Sequence, residues 1–138
     1  MIEIRCKAGK EYYEHLIDKI VKGLKIKTLI NNPSNEIIVL FSHAKSKSLG
    51  NCDGINKRKV KVSIFVEEHK KLYKTKKKYN GELLDTIIHE FVHAKQFLKG
   101  ELVSLPGCYR YRSKKYPQSL PWEDEASRRA KAVAKRIK

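Results

Sequence analysis

Two histidines and a glutamate in one short run have the types and spacing to do metal chemistry. His89-Glu90-Phe91-Val92-His93 sets two imidazoles four residues apart, with a carboxylate next to the first. On a helix the two rings leave the same face one turn apart, about 6 Å along the axis. Two ring nitrogens can then reach one Zn²⁺ at about 2.0–2.1 Å. Glu90 stands one residue further round. It is poorly aimed as a third ligand of the pair and well aimed at a water beside the ion. Such an arrangement supports hydrolysis, with the ion activating a water and the carboxylate taking its proton.

A catalytic zinc wants three protein ligands and one open position. No further histidine follows soon after His93. Downstream, Pro121-Trp122-Glu123-Asp124-Glu125-Ala126 opens a last helix with three carboxylates. A glutamate from this run would complete a set of two histidines and one carboxylate. The apolar stripe of that helix is Trp122, Ala126, Ala130, Val133 and Ile137. At about 100° per residue, Glu123 lies roughly 60° from the stripe centre, Glu125 roughly 100°, and Asp124 points away. Four residues after Glu123 comes Ser127, which can accept a hydrogen bond from a ligand histidine; four after Glu125 comes Arg129, which cannot. The metal set is therefore His89, His93 and Glu123, with Glu125 as the alternative third ligand.

These residues need elements to hold them. Leu83, Leu84, Ile87, Ile88, Phe91, Ala94 and Leu98 recur at helical spacing, with both histidines off that stripe beside Thr86 and Gln96. The pattern predicts a helix from Asn80, a good N-cap, to about Lys99, with Gly100 as its stop. Upstream, residues 9–24 predict an amphipathic helix, and the alternation of Ile2, Ile4 and Cys6 a short strand or arm. Ile37 to Phe41 reads as a buried strand, residues 42–54 as a polar loop, and residues 60–66 as a half-buried strand. That last strand reads equally as an interior strand or as an edge open to an extended peptide. Residues 67–80 form a basic connector whose first part can be helical. Residues 101–120 contain Pro106, Gly107 and Pro117 and read as irregular. Tyr109, Tyr111 and Tyr116 in this stretch are candidates to stabilise an oxyanion. The whole reads as one α+β domain over residues 1–138. A small antiparallel sheet is expected against an N-terminal helix, the HExxH helix and a C-terminal helix.

Composition bounds the partners. Thirty-one Lys and Arg against fifteen Asp and Glu give a net charge of +16 over 138 residues. Such an excess attracts polyanions, so nucleic acid is a candidate partner beside a peptide or protein substrate. Neither a helix-turn-helix pattern, an RNP-like aromatic pattern nor zinc-finger spacing accompanies it. The three cysteines, Cys6, Cys52 and Cys108, are far apart and form no CxxC pair, which argues against a zinc ribbon or a disulfide scaffold. No apolar run approaches the ~20 residues of a membrane span. Glu3 interrupts the N-terminus where a signal peptide needs an apolar stretch, so a cytoplasmic location is expected.

His89-Glu-Phe-Val-His93, then Gln96, Gly100-Glu101 and Pro121-Trp-Glu-Asp-Glu-Ala126, resembles the small gluzincin-type zinc metallopeptidases, the minigluzincin-like HExxH enzymes. The resemblance covers about the last 60 residues and the order of elements before them. It implies a zincin-like fold, a short sheet beside the HExxH helix, and a "glutamate helix" bringing the third ligand. It also implies Zn²⁺ held by His89, His93 and a glutamate of the last helix, with Glu90 as general base. Ser127 departs from the acid that many gluzincins carry four residues after the ligand glutamate. A looser resemblance is to SprT/Spartan-like proteases, which take a third histidine that is not found here. Two other expectations stand beside peptidase activity: a latent or inactive zinc-binding module, and a basic nucleic-acid-associated protein.

Overall fold

The computed structural model describes residues 1–116 and 121–137. Its central strands are the two apolar runs. Strand β2 (Glu36–Ser42) buries Ile37, Ile38, Val39 and Phe41, and β4 (Lys59–Phe65) buries Val60, Val62 and Ile64. Near-continuous apolar sequence is what a strand covered on both faces requires. Strand β1 (Ile2–Arg5) lies beside β2, and β3 (Gly50–Asn56) lies beside β4, in the order β1-β2-β4-β3.

The sheet is mixed and not antiparallel as expected. β1 and β2 are parallel, β2 and β4 are parallel, and only β3 runs against β4. The cause is connectivity: helices α1 (Lys10–Leu24) and α2 (Lys27–Asn31) lie between β1 and β2, and a crossover of this kind returns the chain in the same direction. β3 occupies what the sequence suggests is a loop. Its own residues are weak strand formers, but a tight turn at Lys57–Arg58 folds them onto β4. β4 is consequently an interior strand, and β3 is the edge.

After the short helix α3 (Val66–Leu72) comes α4 (Lys76–Leu98), which carries the HExxH run. It starts four residues before Asn80 because Thr75 caps it, with Oγ1 accepting from the Lys78 amide at 3.2 Å. Asn80 and Gly81 lie inside it. Gly100, at φ +74°, turns the chain away just past its end. The apolar stripe of α4 packs with Ile17 and Ile20 of α1, with β2 and β4, and with Ala126, Ala130 and Val133 of α5 (Pro121–Ile137) in one core. Ala126 and Ala130 are small, which lets α5 approach α4 closely.

Residues 101–116 are ordered where an irregular segment is expected; Pro117 lies outside the described residues. Strands β5 (Leu102–Leu105), β6 (Cys108–Tyr111) and β7 (Lys114–Tyr116) form an antiparallel meander. Gly107 supplies a positive φ to the first turn. The second turn uses Arg112 and Ser113, both at positive φ, as a type I′ hairpin turn requires. Neither is Asn or Gly, so the usual turn signal is missing from the sequence. Tyr109, Tyr111 and Tyr116 surround the Trp122 ring with centroids 5.3–5.8 Å away. The molecule is thus α+β. Among the described residues no helix is long and apolar enough to cross a membrane.

Candidate metal centre

Helix α4 delivers His89, Glu90 and His93, and the first turn of α5 delivers Glu123. The His89 and His93 Nε2 atoms lie 3.2 Å apart, and His89 Nε2 lies 3.3 Å from Glu123 Oε1. His93 Nε2 also meets Glu123 Oε1 directly. A tetrahedral ion bound at about 2.0–2.1 Å separates its donors by roughly 3.3 Å. Two imidazole nitrogens and one carboxylate oxygen are a donor set whose chemistry fits zinc, and the two separations from His89 Nε2 match that spacing. Among the described residues, this trio is the group of potential ligand atoms that converges, all within 4.8 Å of one another.

A second layer of contacts aims the ligands. Gln96 is fully buried, and its amide donates to the Trp122 carbonyl at 3.1 Å and to Glu125 Oε1 at 2.7 Å. With its NH₂ engaged twice, its carbonyl oxygen is left to accept from His93 Nδ1 at 2.8 Å. In the neutral ring the proton therefore sits on Nδ1, which leaves the Nε2 lone pair for an ion. The Trp122 contact also ties α4 to the residue preceding Glu123. Glu125 is held in turn by Tyr111 Oη at 3.0 Å and by Arg112 Nη2 at 2.8 Å.

The two glutamates of α5 thus separate. Glu123 is brought to the histidines, and Glu125 is brought to Gln96, Tyr111 and Arg112. Ser127 is exposed at the rim of the site, while Gln96 takes the place beside His93 that Ser127 suggested. The sequence suggests no role for Gln96 or Arg112, and Tyr111, a candidate for the oxyanion, donates its hydroxyl to Glu125. The available signal for Gln96 was its position three residues after His93 on the same helical face. Tyr111 and Arg112 carry no such signal, because a turn outside either ligand helix places them.

The charges follow from these contacts. Hydrogen bonds from His89 and His93 hold Glu123 far below the usual carboxylate range. Burial opposes protonation of His93, but contacts with Glu123 and Gln96 outweigh it and carry the ring above the ordinary imidazole value. Burial raises Glu125, yet donation from Gln96 and Tyr111 and the nearby Arg112 charge leave it below normal. Glu90, only 7% exposed, moves the other way, its pKa raised chiefly by burial.

Cavities of about 440 Å³ and about 210 Å³ open beside the trio, and Gly50, Glu90 and Glu123 line both. A methyl group on Gly50 would stand 2.7 Å from Thr86 Cγ2 and 3.1 Å from Glu90 Oε2. The edge strand therefore passes directly over Glu90, which only a residue without a side chain permits. Cys52 and Tyr109 line the smaller cavity. Burial, then Glu90, Asp53 and Glu123, raise the Cys52 thiol well above its ordinary value. No family model matches the chain, and no curated protein or solved structure matches it either.

Proposed function

We propose that this chain is a zinc-dependent peptidase of the gluzincin type, with His89, His93 and Glu123 as ligands and Glu90 as general base. The observation that carries the reading is the convergence of two imidazole nitrogens and one carboxylate oxygen beside a separate, buried carboxylate. When bound, zinc supplies Lewis acidity that acidifies a water and polarises a scissile carbonyl. Glu90 accepts the water proton and passes it to the departing amine. Its burial suits this task, since a raised carboxylate pKa makes the protonated form a serviceable intermediate carrier. Of the three tyrosines, Tyr111 is committed to Glu125, whereas Tyr109 lines the cavity shared with Glu90, His93 and Glu123. Tyr109 is the candidate donor to the oxyanion. β3, an edge strand beside Glu90, offers unpaired backbone groups to an extended substrate.

Elemental analysis of the purified protein tests the site. About one zinc per chain is expected, lost in His89→Ala and in Glu123→Ala, and retained in Glu125→Ala at reduced affinity. Glu90→Gln should keep the zinc and lower peptide hydrolysis by about 10²–10⁴-fold. Full hydrolysis by Glu90→Gln, or a wild-type protein that takes up no zinc when it is supplied, would sink the reading.

A further inference from the structure

β3 does more than pass the metal centre. Its first residue, Gly50, lines both cavities beside the trio, Asn51 and Cys52 line the smaller one, and its last residues, Gly54 to Asn56, line a third of about 630 Å³. Along the opposite wall, α4 runs from Thr86 and His89 past His93 to Phe97 and Lys99. One strand edge therefore connects the ligand trio to the distal groove. The span from Gly50 to Asn56 is about 20 Å at ~3.4 Å per residue.

The two ends of this path differ in charge. Glu82, Asp85, Glu90 and Glu123 line the cavity at the Gly50 end, with Lys131 the cation there. The distal groove is lined by Lys57, Arg58, Lys99 and Arg110 and by no carboxylate. All four cations are exposed, and the apolar residues Phe97, Leu98 and Leu102 also line the groove. Ile55, at the register shift of β3, is 52% exposed at the rim.

From this we infer that the distal groove is a specificity subsite for acidic residues of an extended peptide, four to six positions from the bond cut at the metal centre. The inference rests on the peptidase reading for that bond, but not for binding to the groove. A peptide that pairs with the β3 edge carries its own side chains across the groove, so strand pairing supplies register and the cations supply selection. Pairing along a strand edge and an apolar lining suit a polypeptide better than a nucleic acid backbone, which needs a longer run of cations.

The test uses full-length, zinc-loaded Glu90→Gln protein and fluorescent peptides of equal length, differing only in Glu or Gln at those distal positions. Anisotropy should show the Glu peptide binding about tenfold tighter. Lys57→Glu/Arg110→Glu should abolish that preference, and Lys57→Gln/Arg110→Gln should reduce it to an intermediate value. Lys10→Glu/Lys27→Glu, on α1 and α2, makes the same change in net charge and should preserve it. An equal loss in both charge-reversal pairs would show that the +16 net charge alone attracts the peptide, and would overturn the subsite. So would an oligonucleotide of matched charge that displaces the Glu peptide at tenfold lower concentration and depends on Lys57 and Arg110. Hydrolysis by wild-type protein is scored separately: its absence removes the peptidase reading, while the Glu-over-Gln preference still decides the groove.

Discussion

Helix α4 borders two buried regions built on opposite terms. On one side Ile87, Ile88 and Phe91 are wholly inaccessible and belong to an apolar core shared with the sheet, α1 and α5. On the other, Glu90, His93 and Gln96 are equally part of the interior but polar. His93 and Gln96 are joined through hydrogen bonds to Trp122, Glu125 and Tyr111. The first region is held by area removed from water, which is insensitive to orientation. The second is held by donors matched to acceptors, each costly if left alone. The apolar side therefore sets how stable the helix is, and the polar side sets where its histidines point.

Substitutions can break that division. Phe91→Ala removes a wholly buried ring from the apolar side and should cost about 3–5 kcal/mol of unfolding free energy. Zinc binding by the fraction that remains folded should change little; equilibrium denaturation with and without the metal separates the two. Gln96→Ala strikes the polar side. It releases His93 Nδ1 and unties α5 at Trp122, so zinc affinity should fall about 10–100-fold, as is typical for a lost orienting partner. Competition with a chromophoric chelator measures this. An affinity within twofold of wild type would mean that the ligands are aimed by the helices alone.

The same contrast explains what was legible in the sequence. The apolar side declares itself by period: the stripe from Leu83 to Leu98, the buried run from Ile37 to Phe41 and the alternation from Val60 to Ile64 mark real elements, while Val66, expected in that last strand, opens α3. The histidine pair was legible because one turn of α4 relates its two rings, and Glu123 was read from its angle to the apolar stripe of α5. β3 was not, since Gly-Asn-Cys-Asp-Gly-Ile-Asn is dominated by weak strand formers and owes its conformation to β4. Its glycines are a response to α4, with Gly54 as close to Phe97 as Gly50 is to Thr86. The β5–β7 meander escaped for a related reason, since its second turn takes positive φ from Arg112 and Ser113, held by contacts with Glu101 and Glu125. His69 shows the limit from the other side: it stands in the basic connector, yet it is fully buried beside the Tyr73 and Tyr79 rings.

Proton competition sharpens the comparison further, because the apolar side has nothing to titrate. The His93 pKa is raised in the folded, metal-free protein through its contacts with Glu123 and Gln96. Below that raised value, Nε2 carries a proton that zinc must displace, so affinity should fall as pH falls, by up to about tenfold per unit for this one site. Glu123, held low, stays ionised across the same range and adds no slope there. The metal-free fold responds with the opposite sign. A raised histidine contributes stability that is full below its unfolded value of 6.5 and is lost as pH rises through its folded value. Zinc titrations from pH 8 to pH 5 should therefore weaken while this ion pair strengthens. A pH-independent zinc affinity would show that His93 is already deprotonated in the metal-free protein.

The smallest effect belongs to the outermost tie. Tyr111 is buried against Trp122, so its ring serves an apolar cluster while its hydroxyl donates to Glu125 at 3.0 Å. Tyr111→Phe keeps the ring and deletes the donor, at a cost of about 1 kcal/mol for one hydrogen bond. Glu125 retains Gln96 and Arg112, so it is not left unpaired. The metal is three links away, through Glu125, Gln96 and His93, and zinc affinity should fall by only about twofold to fivefold. Measured together, Tyr111→Phe and Gln96→Ala form a double-mutant cycle. If Tyr111 acts through Gln96, the pair costs less than the sum of the two single losses in zinc affinity, because the hydroxyl has nothing left to orient once Gln96 is gone. Strictly additive losses would place Tyr111 on the stability side of the helix, with the ring as its only contribution.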